Sequence, residues 1–254
     1  ILEGLKNFKI ESPDRVPISE TKVAEFQMLN ESVNSLIDRT VATFNSQKQF
    51  IENASHELQT PLAISINKLE LLAERESVSG PELQEIGTII QSLERLTRLN
   101  KTLLLLSRIE NQQFTDRSTV NVSDLIDRVI SDLSDLAEYK RVTVSHIHNV
   151  ILTTEMNPEL AAIMFANLLK NAIVHNNENG SVIVMVHAAG VTIENTGSSI
   201  ALEAAQIFKR FYKSSISTSS TGLGLAIVKS IADNHGFAVQ YNFNNKHVFS
   251  VTVC

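Results

Sequence analysis

The chain has 254 residues, 43% of them hydrophobic, enough for a sizeable core in one or two globular units. Its net charge of −6 and pI near 5.7 leave no basic face, which argues against nucleic acid as a partner. The one cysteine, Cys254, excludes a disulfide framework or a cysteine metal site within one chain and fits a reducing compartment.

Residues 1–20 are mixed and carry Pro13 and Pro17, as a connector would. The chain starts at Ile1 without methionine and reads as a piece of something longer. No apolar run approaches the roughly 18 residues that a membrane span needs, and no signal peptide is visible. From about Lys22 the pattern turns helical. Phe26, Leu29, Val33 and Leu36 alternate by three and four, as in a coiled-coil seam. The seam continues through Thr40, Thr43 and Gln47, whose polarity weakens packing and suits a signalling helix poised between two arrangements. Phe50, Ala54, Leu58, Leu62, Ile66 and Leu69 then recur at helical spacing, predicting one buried stripe and a helix to about Glu76. His56 falls off that stripe and is expected to point outward. A neutral imidazole nitrogen is a nucleophile, and the adjacent Glu57 can orient the ring and take up its proton. Pro61 removes a backbone donor and should bend the helix just past the histidine.

Residues 77–81 supply a turn, with Pro81 suited to the first turn of a second helix. There Leu83, Ile86, Ile90, Leu93, Thr97, Asn100, Leu104 and Ser107 follow a heptad rhythm. Leu96, Leu99, Leu103 and Ile109 widen the apolar face beyond what one partner helix covers. Such a hairpin should dimerise into a four-helix bundle. Residues 111–117 form a polar hinge. Beyond it β-rich stretches (119–122, 142–147, 150–154, 182–187, 191–194, 239–243 and 248–253) alternate with helical ones at 123–139, 158–176 and 222–234. Ser123 and Asn157 suit N-caps, and 244–246 joins the last two strands as a hairpin. This predicts an α+β sandwich, one mixed sheet covered by helices on one face.

Asn167 and Asn171 are four apart, so both amides lie on one helix face, and neutral oxygens of this kind suit Mg²⁺. Gly222 and Gly224 open a helix whose amides can approach phosphates. Residues 214–221 are a serine/threonine run without apolar anchors, as a flexible lid requires. Other histidines carry less. His146 and His148 lie two apart without a third zinc ligand, and His187, His235 and His247 are isolated in the sequence.

Residues 50–62, with Ser55-His56-Glu57-Leu58-Gln59-Thr60-Pro61-Leu62, resemble the H-box of sensor histidine kinases. Residues 167–175, 193–200, 207–213 and 221–228 resemble the N, G1, F and G2 boxes of their ATPase domain, in the family's order. The resemblance covers about residues 22–254. It implies a long-helix coiled coil and dimeric four-helix bundle followed by an α+β (GHKL-type) ATP-binding sandwich. The implied domains are a HAMP-like connector and signalling helix at 1–45, a dimerisation and phosphotransfer hairpin at 46–113, and a catalytic ATP-binding domain at 114–254.

The resemblance also implies roles. ATP phosphorylates His56, Glu57 assists the attack, and Thr60 positions water when the regulator is dephosphorylated. Asn171 holds Mg²⁺ with Asn167 alongside, and His175 meets the base or ribose. Asn195 takes the place of the aspartate that accepts from the adenine amino group, followed by Gly197. Arg210 and Lys213 are cations for the γ-phosphate, and Thr221, Gly222, Leu223, Gly224 and Leu225 form the phosphate turn. The departures are Val174 for a lysine, Asn195 for aspartate, Lys213 for arginine, and Ser199 and Ser220 for glycines. The implied partners are a second copy of the chain and a response-regulator receiver domain. The parent would be anchored in the membrane upstream of residue 1, with this part on the cytoplasmic side of the inner membrane. One alternative is a nucleotide-impaired, non-catalytic dimeric signalling or phosphatase module. Another is an ATPase of the wider superfamily with Hsp90 and gyrase, against which the H-box stands.

Overall fold

A computed structural model of the chain describes residues 23–75, 78–148, 150–213 and 221–253, the side chains of residues 47, 48, 51, 52, 56 and 148 excepted. The expected connector at 1–20, all of the expected lid at 214–221 except Thr221, and Cys254 lie outside the described residues. Contacts divide the chain between Ser107 and Arg108 into a helical unit and an α/β unit.

The helical unit is a hairpin of α1 (Ala24–Ala73) and α2 (Gly80–Glu110). α1 stays helical through Pro61 and stops three residues short of Glu76. At the start of α2, the backbone N–H and hydroxyl of Ser79 both donate to Glu82 at 2.8 Å, half of a capping box. The heptad row of α2 is the better covered one. Ile86 and Ser107 are buried, and Ile90, Leu93, Thr97, Asn100 and Leu104 are half-buried. The predicted stripe of α1 is covered only in part: Phe50 is 72% and Leu58 52% exposed. Phe26, Leu29 and Leu36 of the seam are also exposed. Two helices shield each other along one line, so the rest of an apolar face this wide stays in water.

The second unit takes in the last turn of α2 and all that follows. Its elements are β1 (Ser118–Asn121), α3 (Val122–Asp132), α4 (Ser134–Lys140), β2 (Thr143–His148), β3 (Thr153–Met156), α5 (Pro158–Val174), β4 (Ser181–His187), β5 (Gly190–Asn195), α6 (Gly224–His235), β6 (Ala238–Phe243) and β7 (His247–Thr252). Three predictions are corrected. The N-cap of α3 is Asn121, which accepts from Ser123 N–H, and not Ser123 itself. The strands form two sheets instead of one: a pair β1–β3, and five strands in the order β2-β4-β5-β7-β6, parallel only between β2 and β4. The helix expected over 123–139 is two, broken at Leu133, whose backbone leaves the helical region.

The five-stranded sheet alternates in burial. Val182, Val184 and Val186 of β4, Ile193 of β5, and Phe249 and Val251 of β7 are buried. Helices α5 and α6 supply Leu160, Met164, Phe165, Leu168, Ile227, Val228 and Ile231, also buried. Each such side chain contributes about 1.5–3 kcal/mol relative to exposure. Asn157 caps α5 by accepting from Leu160 N–H, with Pro158 at the first position. The result is a pair of packed helices that carry the polar motifs.

Candidate functional site

In the helical unit α1 carries Ser55, His56, Glu57 and Thr60 on consecutive turns. Residues three apart on a helix are neighbours, so Glu57 adjoins Thr60. Glu57 and Thr60 are exposed. The expectation that the His56 ring points outward lies outside the described residues. Pro61 has no N–H to offer the carbonyl of Glu57. From α2, the Asn100 amide donates to the Ser55 carbonyl at 2.7 Å.

In the second unit four segments, far apart in sequence, converge on the ends of α5 and α6. Asn167 donates its amide to Ile163 O at 2.8 Å, and its Oδ1 lies 3.0 Å from where a Cβ on Gly224 would stand. Any side chain at Gly224 would crowd that amide. Asn171, one turn on, is half-buried, and its carbonyl accepts from His175 N–H at 3.0 Å. Past the helix Asn176 bridges to Gly197, and the Asn177 amide donates to Gly197 O at 2.7 Å. A Cβ on Gly197 would stand 3.0 Å from both His175 O and the His247 ring, so a side chain there would have to push one of them aside. Asn195 ends β5 at 3% exposure, its Nδ2 donating to Thr196 O at 3.2 Å.

Phe211 N–H donates to Gly222 O at 2.8 Å, which pins the two described ends of the lid segment together. Both residues have positive φ, 63° and 72°, and a Cβ on Gly222 would sit 2.8 Å from the Phe211 carbonyl carbon. α6 starts without a side-chain cap, leaving its first amides to other partners. Thr221, Gly222 and Leu225 are half-buried there.

Two predicted contacts take another form. Leu223 is fully buried in the core, so only its main chain can face a nucleotide. Arg210 is paired with Glu110 at the end of α2 instead of standing free for phosphate. Lys213 is half-buried.

Sequence reading missed a relay beside the G1 segment. His247 Nε2 lies 2.9 Å from Ser198 O, which can only accept, so Nε2 carries the proton and Nδ1 is an acceptor. Tyr241 OH therefore donates to His247 Nδ1 at 2.8 Å, and itself accepts from Leu202 N–H at 3.0 Å. Both side chains are buried. Together they hold residues 198–202 against the last hairpin. The one available signal was strand register, since His247 faces Asn195 across β5 and β7.

Burial raises the Tyr241 pKa above its ordinary value. Desolvation, then the charge of Lys140, pushes the His175 pKa down and keeps its ring neutral near pH 7. His235 is lowered by desolvation too and donates Nδ1–H to Ile231 O. His146 meets Asp127 at 2.6 Å. Among the described residues no three His, Cys, Asp or Glu side chains are grouped to hold a metal. A hard cation here would depend on amide oxygen, water and phosphate. Asn171 and Asn167 fit that donor set, since Asn167 Oδ1 already faces the opening of α6.

Residues 46–112 match the His Kinase A (phospho-acceptor) domain, and residues 156–253 match the histidine kinase-, DNA gyrase B- and HSP90-like ATPase. Both matches fall, in that order, on the two units just described. The chain belongs to the histidine kinases. This histidine kinase chain is similar to the heme sensor protein HssS of Staphylococcus aureus (strain Newman), at 31% identity over 255 residues. The match takes in 96% of this chain and 54% of that protein, so the chain spans about half the length of the curated relatives it matches. In fold it resembles full-length ShkA in complex with AMPPNP, with TM-score 0.64 and 22% identity over 81% of this chain and 45% of the other. It also resembles the Acinetobacter baumannii histidine kinase AdeS, with TM-score 0.55 and 22% identity over 78% and 96% of the two chains. No described helix of this histidine kinase is long and apolar enough to cross a membrane.

Proposed function

We propose that the chain transfers the γ-phosphoryl group of ATP to His56 and passes it to an aspartate of a response-regulator receiver domain. The observation that supports this best is Asn167 of α5 lying against Gly224 at the start of α6, beside the Phe211–Gly222 bond, with Gly197 held against His175 at the end of α5. In the same chain His56 precedes the exposed Glu57 on a turn of α1.

Phosphoryl transfer asks little covalent chemistry of a protein and much positioning and charge compensation. In this reading a ring nitrogen of neutral His56 forms the new bond to γ-phosphorus as the bond to the ADP oxygen breaks. Glu57 takes the proton of the other ring nitrogen. Asn195 offers Oδ1 to the adenine amino group, its Nδ2 being held by Thr196 O. His175, neutral by desolvation, stacks on or hydrogen-bonds the nucleoside. Thr221, Gly222, Gly224 and the main chain of Leu223 and Leu225 line the phosphates, with Lys213 as the cation. Asn171 would hold Mg²⁺, with Asn167 beside it, and the metal supplies charge neutralisation over the phosphates. Thr60 positions water for removal of phosphate from the regulator. The chain works as a homodimer, within a parent anchored in the membrane and on its cytoplasmic side.

Two observations favour the non-catalytic alternative: Arg210 is engaged by Glu110, and Asn195 lacks the aspartate's charge. Incubation with labelled ATP and Mg²⁺ separates the two. Acid-labile, alkali-stable label that moves to a receiver domain supports the kinase. Weak or absent nucleotide binding, with no label on the chain, supports the alternative.

A further inference from the structure

The heptad row of α2 that faces α1 is apolar except at Thr97, Asn100 and Ser107. Thr97 spends its hydroxyl on its own helix, donating to Leu93 O at 2.9 Å. Ser65, Thr88 and Thr102 likewise bond back to the carbonyl four residues earlier. Asn100 does otherwise. Its amide crosses to α1 and donates to the Ser55 carbonyl at 2.7 Å, a bond between residues 45 apart. That carbonyl belongs to the peptide joining Ser55 to His56. Ser55 is 4% exposed, so the contact sits inside the hairpin.

A helical carbonyl already has an intrahelical partner, here the N–H of Gln59 four residues on. The bond from Asn100 is therefore not needed to satisfy Ser55 O. What it adds is orientation: it fixes the plane of the peptide that aims the His56 Cα–Cβ bond. Orientation is weakly held from the other side, because Pro61 cannot donate to the Glu57 carbonyl. The turn around His56 is thus anchored across the hairpin just before the place where the helix ladder is broken. Leucine is close to asparagine in size and would suit the seam better, so a half-buried amide here does not serve packing.

We infer that Asn100 is a positioning residue for the phospho-acceptor, holding the Ser55–His56 peptide so that the ring meets the γ-phosphate in line. This rests on the reading of His56 as phospho-acceptor. Asn100 acts through Ser55 and touches no reacting atom.

The test is N100L in the whole chain, with N100Q as the variant that keeps an amide donor. Positioning predicts that N100L keeps its dimer mass and melts no lower than the parent. Its rate of His56 labelling at saturating ATP should fall roughly tenfold to a hundredfold, the size of effect that small misplacements produce. KM for ATP should be unchanged, and N100Q should label faster than N100L. N100L labelling at the parental rate overturns the inference. So does a lower rate that comes with lost dimer, lower melting or raised KM, because Asn100 would then be merely structural. A parent chain that takes no label overturns the phospho-acceptor reading and this inference with it, whereas equal labelling of parent and N100L removes this inference alone.

Discussion

At the scale of the residue, Asn195 is the sharpest departure from the family pattern. A carboxylate bonded to an adenine amino group makes a charge-assisted contact of about 1.5–3 kcal/mol, against about 0.5–1.5 for a neutral amide. Asn195→Asp should therefore bind ATP as well as the parent or up to about tenfold tighter, since ~1.4 kcal/mol is one factor of ten. Asn195→Ala should lose affinity by removing the base contact, and Asn171→Asp by disturbing the metal. Titration calorimetry with a non-hydrolysable ATP analogue reads all three, and parental affinity in Asn195→Ala would remove the G1 assignment. Tyr241 allows a second prediction at this scale. Tyr241→Phe leaves Leu202 N–H and His247 Nδ1 without their partner in a buried place, a cost of about 1–3 kcal/mol. The chain should melt lower and bind ATP more weakly, because residues 198–202 lose their tether. A shift in melting with no change in affinity would separate that loop from the nucleotide site. Asn195 was legible from its neighbours Glu194 and Gly197. His247 was not, because its bond to Ser198 joins residues 49 apart and no local pattern encodes it.

At the scale of the element, the helices were the most legible part of the sequence. Three- and four-residue spacing in α1 and α2 needs only local chemistry, and the row at Ile86, Leu93 and Leu104 is the covered one. Strand stretches were legible too, through the alternation seen at Val182, Val184 and Val186. Which strand pairs with which was not. β1 finds β3 by bringing Val120 opposite Thr154, a choice that periodicity does not contain. The hairpin also sets an expectation of its own. Phe50, Leu58, Ile64, Leu71, Ile89 and Leu96 stay at least 48% exposed within one chain. That many exposed large apolar side chains on one hairpin point to an association surface. Sedimentation should show the chain as a dimer at micromolar concentration and residues 118–254 alone as a monomer. A stable monomer of the whole chain would contradict the four-helix reading.

At the scale of the whole molecule, the chain joins a unit that offers a histidine to a unit built around nucleotide-type motifs. The division falls between Ser107 and Arg108, and each unit can be read by itself. Each set of motifs calls for the other: a phospho-acceptor needs a phosphate source, and a nucleotide site that gives up phosphate needs an acceptor. Their union in one chain gives the kinase reading its force. It is tested most directly by incubating parent and His56→Gln with labelled ATP and Mg²⁺, with circular dichroism and dimer mass as controls for folding. The proposed chemistry predicts acid-labile label on the parent and none on a folded, dimeric His56→Gln. Label persisting in that variant would contradict it.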